Sequence, residues 1–309
     1  MLFIARKILT YLSIFFPNDM SKIIKNEKKI IKIVNKQLIY LSKQNLKKTH
    51  RNFNIQLYKF LRKGNLCNFL RISFFQKMFF VHNRLFILRE LNYLKKSNKW
   101  NMYKKLLIED NVGNPIRYFL YPQSSGNRIN HVYHLSLINK YLNIKLKDIN
   151  NVFEFGGGYG CMARIFYKIN KNVKYSIFDT KLVNLLQLYY LKHNQMNVGF
   201  KNNNQFKLIS NLKKYNSTQR KKSLFIANWS LSETPINLRN KIEPIISKFH
   251  YVMIAFQENF EDINNKKYFN KIKKKLEKKY IIKIILNNYY KGNLLKKQNH
   301  FFFLAKRKI

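Results

Sequence analysis

The sequence predicts an α/β fold: a doubly wound, mostly parallel seven-stranded sheet with a C-terminal antiparallel pair, preceded by an α-helical N-terminal region. Three observations predict it. Short apolar runs alternate with helical patterns from residue 120 onward, whereas residues 1–119 show helical spacing alone. Four of the nine glycines also cluster within residues 156–160, where an apolar run gives way to a helical pattern.

Residues 1–119 form the first predicted domain, a basic helical region. Apolar residues recur there every three or four positions between lysines, most clearly across residues 23–41. Pro115 and Gly126 bracket a break in this pattern, which places the boundary before residue 120. The second predicted domain therefore covers residues 120–309.

Alternating elements fill the second domain. A helical pattern follows several of the strands, and this order favours parallel pairing with helices on both faces of the sheet. The last two strands have no helical pattern between them, so we expect them to pair antiparallel. Strands are predicted at 151–156, 174–179, 205–209, 223–228, 251–257, 280–286 and 300–306, and helices at 161–169, 181–193 and 236–248.

The composition limits the class of protein and its surroundings. Two cysteines in 309 residues exclude a disulfide scaffold and fit a reducing cytoplasm. The net charge of +46 predicts affinity for anions, but the lysines are spread over the whole length, so we expect no specific nucleic-acid partner. Residues 1–17 read as an amphipathic helix, and this basic N-terminus leaves open a peripheral contact with the inner face of an anionic membrane.

The glycine cluster matches a ligand-binding turn. Glycine permits positive φ and close approach to the backbone, and a helix start aims its amides at a ligand. The spacing Glu154-x-Gly156-x-Gly158-x-Gly160, with Gly157 at one of the variable positions, fills the S-adenosylmethionine pattern E/D-x-G-x-G-x-G. Residues 158–163 fit the dinucleotide pattern loosely, but an acidic strand end would repel a pyrophosphate, whereas it suits a sulfonium and an ammonium. A turn that only allows tight packing remains a further alternative.

Asp179 ends the next predicted strand. A carboxylate at this edge of the sheet could accept hydrogen bonds from both ribose hydroxyls of the cofactor. The alternative is local, because aspartate is a favoured N-cap and a helix is predicted from Lys181.

The loop after the strand at 223–228 supplies candidates for the acceptor side. In doubly wound sheets, ligands lie at the carboxyl ends of the strands. Asn228 could orient the cofactor amine or the acceptor, and Trp229 offers a flat wall for a sugar ring or a cation. Glu233 could act as a base, or it could belong to a helix start before Pro235.

Arg128, His131 and His134 are spaced three residues apart, so they share one side of a predicted helix just before the glycine strand. Histidine suits proton removal near neutral pH, which makes His134 and His131 candidate bases and Arg128 a candidate contact for the acceptor. Solvated surface residues are the alternative. The spacing of histidines and carboxylates predicts no metal site.

The run EFGGGYG at residues 154–160 resembles the E-I-G-G-G-Y-G loop of the sugar O-methyltransferase family, a branch of the Rossmann-like S-adenosylmethionine-dependent methyltransferases. The run NWSLSETP at residues 228–235 is similar to that family's stretch after its fourth strand, and the resemblance covers residues 120–257. It implies that residues 120–309 form the methyltransferase domain and that Glu154, the motif glycines and Asp179 bind the cofactor.

The acceptor implied by the resemblance is a sugar hydroxyl in surface polysaccharide or glycolipid synthesis. Two alternatives stay open on the sequence. One is an RNA or protein methyltransferase that uses the basic surface to bind its substrate, and the other is a cofactor-binding scaffold without activity.

Overall fold

A computed structural model describes residues 18–42, 51–64, 66–79, 85–215, 222–289, 292–293 and 296–308. The amphipathic helix predicted at residues 1–17, with its membrane contact, lies outside these residues. Among the described residues, no helix is both long and apolar enough to cross a lipid bilayer. The chain divides into two compact units. The first comprises Met1–Tyr133, Gly158–Ile165 and Asp179–Ser210, and the second His134–Gly157, Phe166–Phe178 and Asn211–Ile309.

The described helices follow the chain in this order: α1 Ser21–Ser42, α2 Arg51–Lys63, α3 Ser73–Phe79, α4 Leu85–Lys95, α5 Trp100–Leu107, α6 Gly126–Leu142, α7 Cys161–Ile169, α8 Lys181–His193, α9 Ile236–Ile246 and α10 Asn265–Leu276. The strands are β1 Arg117–Tyr118, β2 Tyr121–Ser125, β3 Asn151–Phe155, β4 Lys174–Phe178, β5 Val198–Gly199, β6 Phe206–Ile209, β7 Ser223–Asn228, β8 Tyr251–Gln257, β9 Asn259–Phe260, β10 Ile263–Asn264, β11 Tyr280–Leu286, β12 Gly292–Asn293, β13 Lys296–Lys297 and β14 His300–Arg307.

Helices dominate the first unit. In α1 one apolar stripe is buried, formed by Ile23, Ile30, Val34 and Leu38, while most of the lysines and the isoleucines outside the stripe, such as Ile24, are exposed. The helix is tied to α8 by Glu27, whose carboxylate accepts hydrogen bonds from the Tyr189 hydroxyl at 2.5 Å and from His193 Nε2 at 3.2 Å. The helical N-terminal region is therefore as the sequence predicts over its described part.

The segment before α6 forms a hairpin that the sequence did not predict. Strands β1 and β2 pair antiparallel where Pro115 and Gly126 indicated a break. Pro122 is compatible with β2 because a two-stranded hairpin leaves one edge free of ladder hydrogen bonds. The domain boundary before residue 120 stays a prediction.

The second unit is built on a mostly parallel sheet. Its described strands lie in the order β11–β14–β8–β7–β3–β4, in which β4, β3, β7 and β8 are parallel and β14 and β11 antiparallel. The central strands β3, β7 and β8 are buried almost throughout, as expected for strands covered on both faces. In the first unit, β5 and β6 pair in parallel.

The predicted fold class is confirmed. Each of the seven predicted strands is present, and the closing pair is antiparallel, with Ile284 opposite Phe303. The sequence analysis did not predict helix α10, in which Phe269, Ile272 and Leu276 form a narrow apolar stripe within a lysine-rich segment. The strands β5, β9, β10, β12 and β13 are two residues long, which is too short to leave an alternating pattern.

Candidate active site

The glycine turn begins where β3 ends. Gly156 has φ +72°, and its N–H donates to the carbonyl of Phe178 at 2.8 Å. The Ser230 hydroxyl donates to the carbonyl of Phe155, which brings its Cβ to 2.2 Å from where a Cβ on residue 156 would lie. Both the backbone angle and this close approach require glycine here.

Glu154 lies beneath this turn. Its side chain is on buried β3, with 2% of the residue exposed, and Oε2 accepts a hydrogen bond from the Tyr175 hydroxyl at 2.9 Å. The same oxygen lies 3.0 Å from the position that a Cβ on Gly157 would take. A buried carboxylate is therefore held directly under the glycine turn, as the motif predicts.

The remainder of the turn belongs to the first unit. Gly158 and Gly160 have φ values of +53° and +100°, so all three glycines of the spaced motif adopt the left-handed region. The Gly158 carbonyl accepts a hydrogen bond from Gln187 Nε2 at 2.9 Å. The chain then enters α7 at Cys161.

Asp179 follows β4 and belongs to the same unit. Its Oδ2 accepts from Gln187 Nε2 at 3.1 Å, and its Oδ1 accepts from the N–H of Thr180 at 2.8 Å. Thr180, rather than Asp179, is the N-cap of α8, because its side chain accepts from the N–H of Val183 at 3.4 Å. The local capping alternative for Asp179 therefore does not hold.

His134 and Asn228 lie together in the second unit. His134 is fully buried on α6, and its Nδ1 is 3.1 Å from Asn228 Oδ1 at the end of β7. An amide oxygen only accepts, so this pair places the proton on Nδ1 and the basic lone pair on Nε2. That tautomer is the one a general base at Nε2 requires.

Trp229 covers the same histidine. It has φ +60°, an uncommon conformation for a bulky residue, and its ring centroid is 5.3 Å from that of His134. Its Nε1–H donates to His300 Nδ1 at 3.1 Å, and Phe302 packs edge-on against His134. Aromatic rings thus enclose His134 on two sides.

Glu233 ends the short 3-10 turn Ser230–Glu233, before α9 begins at Ile236. The residue as a whole is exposed, but its carboxyl accepts from Gln257 Nε2 at 3.3 Å and is desolvated on that side. This desolvation raises the pKa of Glu233 to about 7. The pKa suits a base working near neutral pH.

Arg128 corrects the sequence interpretation. It is fully buried, with Nε 2.8 Å from Glu109 Oε1 and Nη2 2.7 Å from Asp110 Oδ2. Its Nη1 donates to the carbonyl of Ile108 at 2.9 Å. A guanidinium held in this way is part of the core of the first unit, so we do not retain Arg128 as a contact for the acceptor.

His131 lies on the same helix, half-buried, in surroundings that disfavour the protonated imidazole. Desolvation, followed by the charge of nearby Arg128, lowers its pKa to about 3. An imidazole with so low a pKa takes up a proton poorly in a transition state near neutral pH. The spacing of three residues that grouped His131 with His134 therefore does not make them equivalent.

Four further residues support the predicted ones and were missed: Tyr175, Gln187, Gln257 and His300. Most of these contacts join segments distant in sequence, so no local spacing could indicate them, and the contact of Gln187 with nearby Asp179 depends on the folding of α8. Among the described residues, no group of three histidine, cysteine or acidic side chains could hold a metal ion.

No protein-family model matches the sequence, and no curated protein matches it. Among solved structures, the N-methyltransferase NodS of Bradyrhizobium japonicum, in complex with S-adenosyl-L-homocysteine, aligns at 9% identity over 69% of this chain and 100% of its own, with a TM-score of 0.42.

An rRNA methylase of Streptococcus thermophilus aligns at 15% identity over 59% of this chain and 96% of its own, with a TM-score of 0.38. The precorrin-6y methyltransferase of Geobacter metallireducens aligns at 8% identity over 56% of this chain and 87% of its own, with a TM-score of 0.37. At these identities and TM-scores, the alignments assign neither a family nor an acceptor to this chain.

Proposed function

We propose that this protein is an S-adenosylmethionine-dependent methyltransferase. The observation that carries the proposal is the motif Glu154-x-Gly156-x-Gly158-x-Gly160, in which a buried carboxylate on a parallel strand precedes three glycines that all have positive φ. Left-handed glycines after a parallel strand expose backbone amides to a ligand.

The charge of the motif favours this cofactor over a dinucleotide. S-adenosylmethionine carries a sulfonium and an ammonium and has no phosphate, so the Glu154 carboxylate is favourable for it. A pyrophosphate would meet the same carboxylate with like charge. We assign Glu154, Gly156, Gly157, Gly158 and Gly160 to the cofactor on this basis.

Asp179 and Asn228 complete the proposed cofactor contacts. Asp179 would accept hydrogen bonds from the ribose hydroxyls, an assignment supported by the finding that Thr180 caps α8 in its place. Asn228, at the end of β7, would orient the cofactor or the acceptor through its amide. The bound cofactor supplies an electrophilic methyl group and a good leaving group.

We propose that the protein aligns the acceptor oxygen and takes its proton. Bound S-adenosylmethionine would supply the methyl group and would leave as S-adenosylhomocysteine with the electron pair of the broken sulfur–carbon bond, while the protein's residues would orient the acceptor oxygen and remove its proton. His134 Nε2 is the proposed base, because its pairing with Asn228 leaves the lone pair on that atom. Glu233 is the second candidate, since its pKa of about 7 also suits the task.

The proposed acceptor is a sugar hydroxyl in a glycan or glycolipid. The resemblance at residues 154–160 and 228–235 supports it, and Trp229 offers an apolar wall of the kind on which sugar rings pack. A second candidate is RNA, which the net charge of +46 and the exposed lysines of α10, such as Lys267, Lys271 and Lys274, would attract.

The proposed location of the protein is the cytoplasm, with or without a peripheral membrane contact.

The test of activity uses cofactor labelled in its methyl group. Purified protein is incubated with labelled S-adenosylmethionine and, in parallel, with nucleotide sugars, lipid-linked glycans, polysaccharide, RNA and protein. Transfer to a glycan fraction supports the sugar proposal. Transfer to RNA alone favours the second candidate acceptor. Binding of S-adenosylhomocysteine without transfer to any acceptor favours a cofactor-binding scaffold without activity.

The test of the base uses single substitutions. His134→Ala is expected to keep S-adenosylhomocysteine affinity and lose about 100-fold in turnover, the usual contribution of general base catalysis. His131→Ala is expected to retain turnover, because the pKa of about 3 already makes His131 a poor base. If Glu233→Gln is inactive while His134→Ala is active, Glu233 is the base.

A further inference from the structure

Gln187 connects two parts of the proposed cofactor site. It lies on α8 and is fully buried. Its Nε2 donates one hydrogen bond to the Gly158 carbonyl at 2.9 Å and another to Asp179 Oδ2 at 3.1 Å. One amide group thus holds both the glycine turn and the acidic side chain that follows the next strand.

Both neighbours of the Gln187 amide nitrogen are acceptors. A carbonyl and a carboxylate offer no proton, so only the NH₂ end of the amide can face them, and this fixes the side chain's orientation. The Thr180 N–H holds the other oxygen of Asp179 at 2.8 Å. Because donors hold both oxygens, they help to set the plane and direction of the Asp179 carboxylate before any ligand binds.

We propose that Gln187 is a positioning residue for recognition of the cofactor's ribose diol and acts through the carboxylate of Asp179. The inference rests on the proposed function, in which Asp179 accepts from the two ribose hydroxyls. Those hydrogen bonds depend on the carboxylate's direction, because a charged acceptor binds well only when the donors point at its lone pairs. Without Gln187, the Asp179 carboxylate loses the donor on Oδ2 that helps to hold its direction toward the diol.

Asn184 provides a matched control on the same helix. It is also a fully buried amide, and within the described part of the chain neither its Oδ1 nor its Nδ2 has a hydrogen-bond partner. Asn184→Leu therefore removes a buried amide without touching Gly158 or Asp179. Loss of an unsatisfied buried polar group is neutral or stabilising.

The experiment compares two ligands on each variant. Calorimetry gives the Kd of S-adenosylhomocysteine and of its 2′,3′-dideoxyribose analogue, and the ratio of the two measures recognition of the diol. The wild type is expected to favour the diol by at least about tenfold, the effect of hydrogen bonds to a charged group. Gln187→Met is expected to lower the ratio of the two Kd values close to that of Asp179→Asn. Asn184→Leu is expected to keep the wild-type ratio.

A purely structural role for Gln187 predicts a different result, in which Gln187→Met weakens both ligands equally and leaves the ratio unchanged. That result overturns the inference. Gln187→Leu also removes the donor to Asp179, so it should lower the ratio as well, and it serves if the methionine variant does not fold. In the double variant with Asp179→Asn, Gln187→Met should lower the ratio no further.

Two results on the wild type separate this inference from the proposed function. If the wild type binds neither ligand, the proposed function itself fails. If it binds both with equal affinity, the cofactor proposal stands, while the role of Asp179 and the inference on Gln187 are both wrong.

Discussion

Replacing Gly156 by alanine would add two separate costs to the folded state. The first is conformational, because φ +72° places an L-residue in the left-handed region at about 1–2 kcal/mol. The second is steric, because the new Cβ would lie 2.2 Å from Ser230 Cβ and 2.8 Å from Ser230 Oγ. Overpacking of this kind costs about 1–3 kcal/mol, so we expect a total loss of about 2–5 kcal/mol.

Gly64 separates the two costs. Its φ of +69° matches that of Gly156, but a Cβ there would meet its nearest neighbour, Ile31 Cγ2, at an ordinary 3.6 Å. Gly64→Ala should therefore lose only the conformational cost of about 1–2 kcal/mol. Adding Ser230→Gly to Gly156→Ala should recover part of the steric cost.

Chemical denaturation followed by circular dichroism measures these free energies of unfolding, and calorimetry measures S-adenosylhomocysteine affinity in the same samples. Gly156→Ala should lose both stability and affinity, whereas Gly64→Ala should keep its affinity. Equal losses of stability in the two alanine variants would refute the reasoning, because they would show that the approach of Ser230 to Gly156 has no energetic consequence.

Three further predictions concern buried charges. Arg128→Met should cost about 3–5 kcal/mol in denaturation experiments, since it leaves Glu109 buried without its cation, whereas Arg164→Met, at a less buried site, should cost less. If Glu233 is the base, turnover should fall as pH drops through about 7, and the low residual turnover of Glu233→Gln should not show this fall. Burial raises the pKa of Glu90 from 4.5 to about 8, so this group makes stability decline as pH rises between these values, and Glu90→Gln should make the decline shallower.

The strands and the glycine turn could be predicted from sequence because their signals are local. The buried runs at β3, β7 and β8 are continuous in the chain, and the glycine spacing reflects backbone angles at neighbouring positions. The same reasoning missed α10, where lysines surround a narrow apolar stripe that includes the buried Phe269 and Ile272. It also missed the hairpin before α6, where proline and glycine are read as a break.

The roles of individual side chains could not be predicted as well from sequence, because they depend on contacts between different segments of the chain. The burial of Arg128 follows from Glu109 and Asp110, which lie in a different part of the first unit's sequence. The link from Gln187 to Asp179 exists only once α8 is folded. Helical spacing places a residue on a side of a helix, but it does not reveal what packs against that side.

The central claim is that the glycine turn after β3 binds S-adenosylmethionine. Its most direct test is a calorimetric titration with S-adenosylhomocysteine and, in parallel, with NAD. The titration compares the wild-type protein with Gly158→Val, because the φ of +53° at Gly158 disfavours a β-branched side chain. We predict saturable binding of S-adenosylhomocysteine to the wild type, none to the variant, and no binding of NAD to either. Binding of NAD without binding of S-adenosylhomocysteine would contradict the claim.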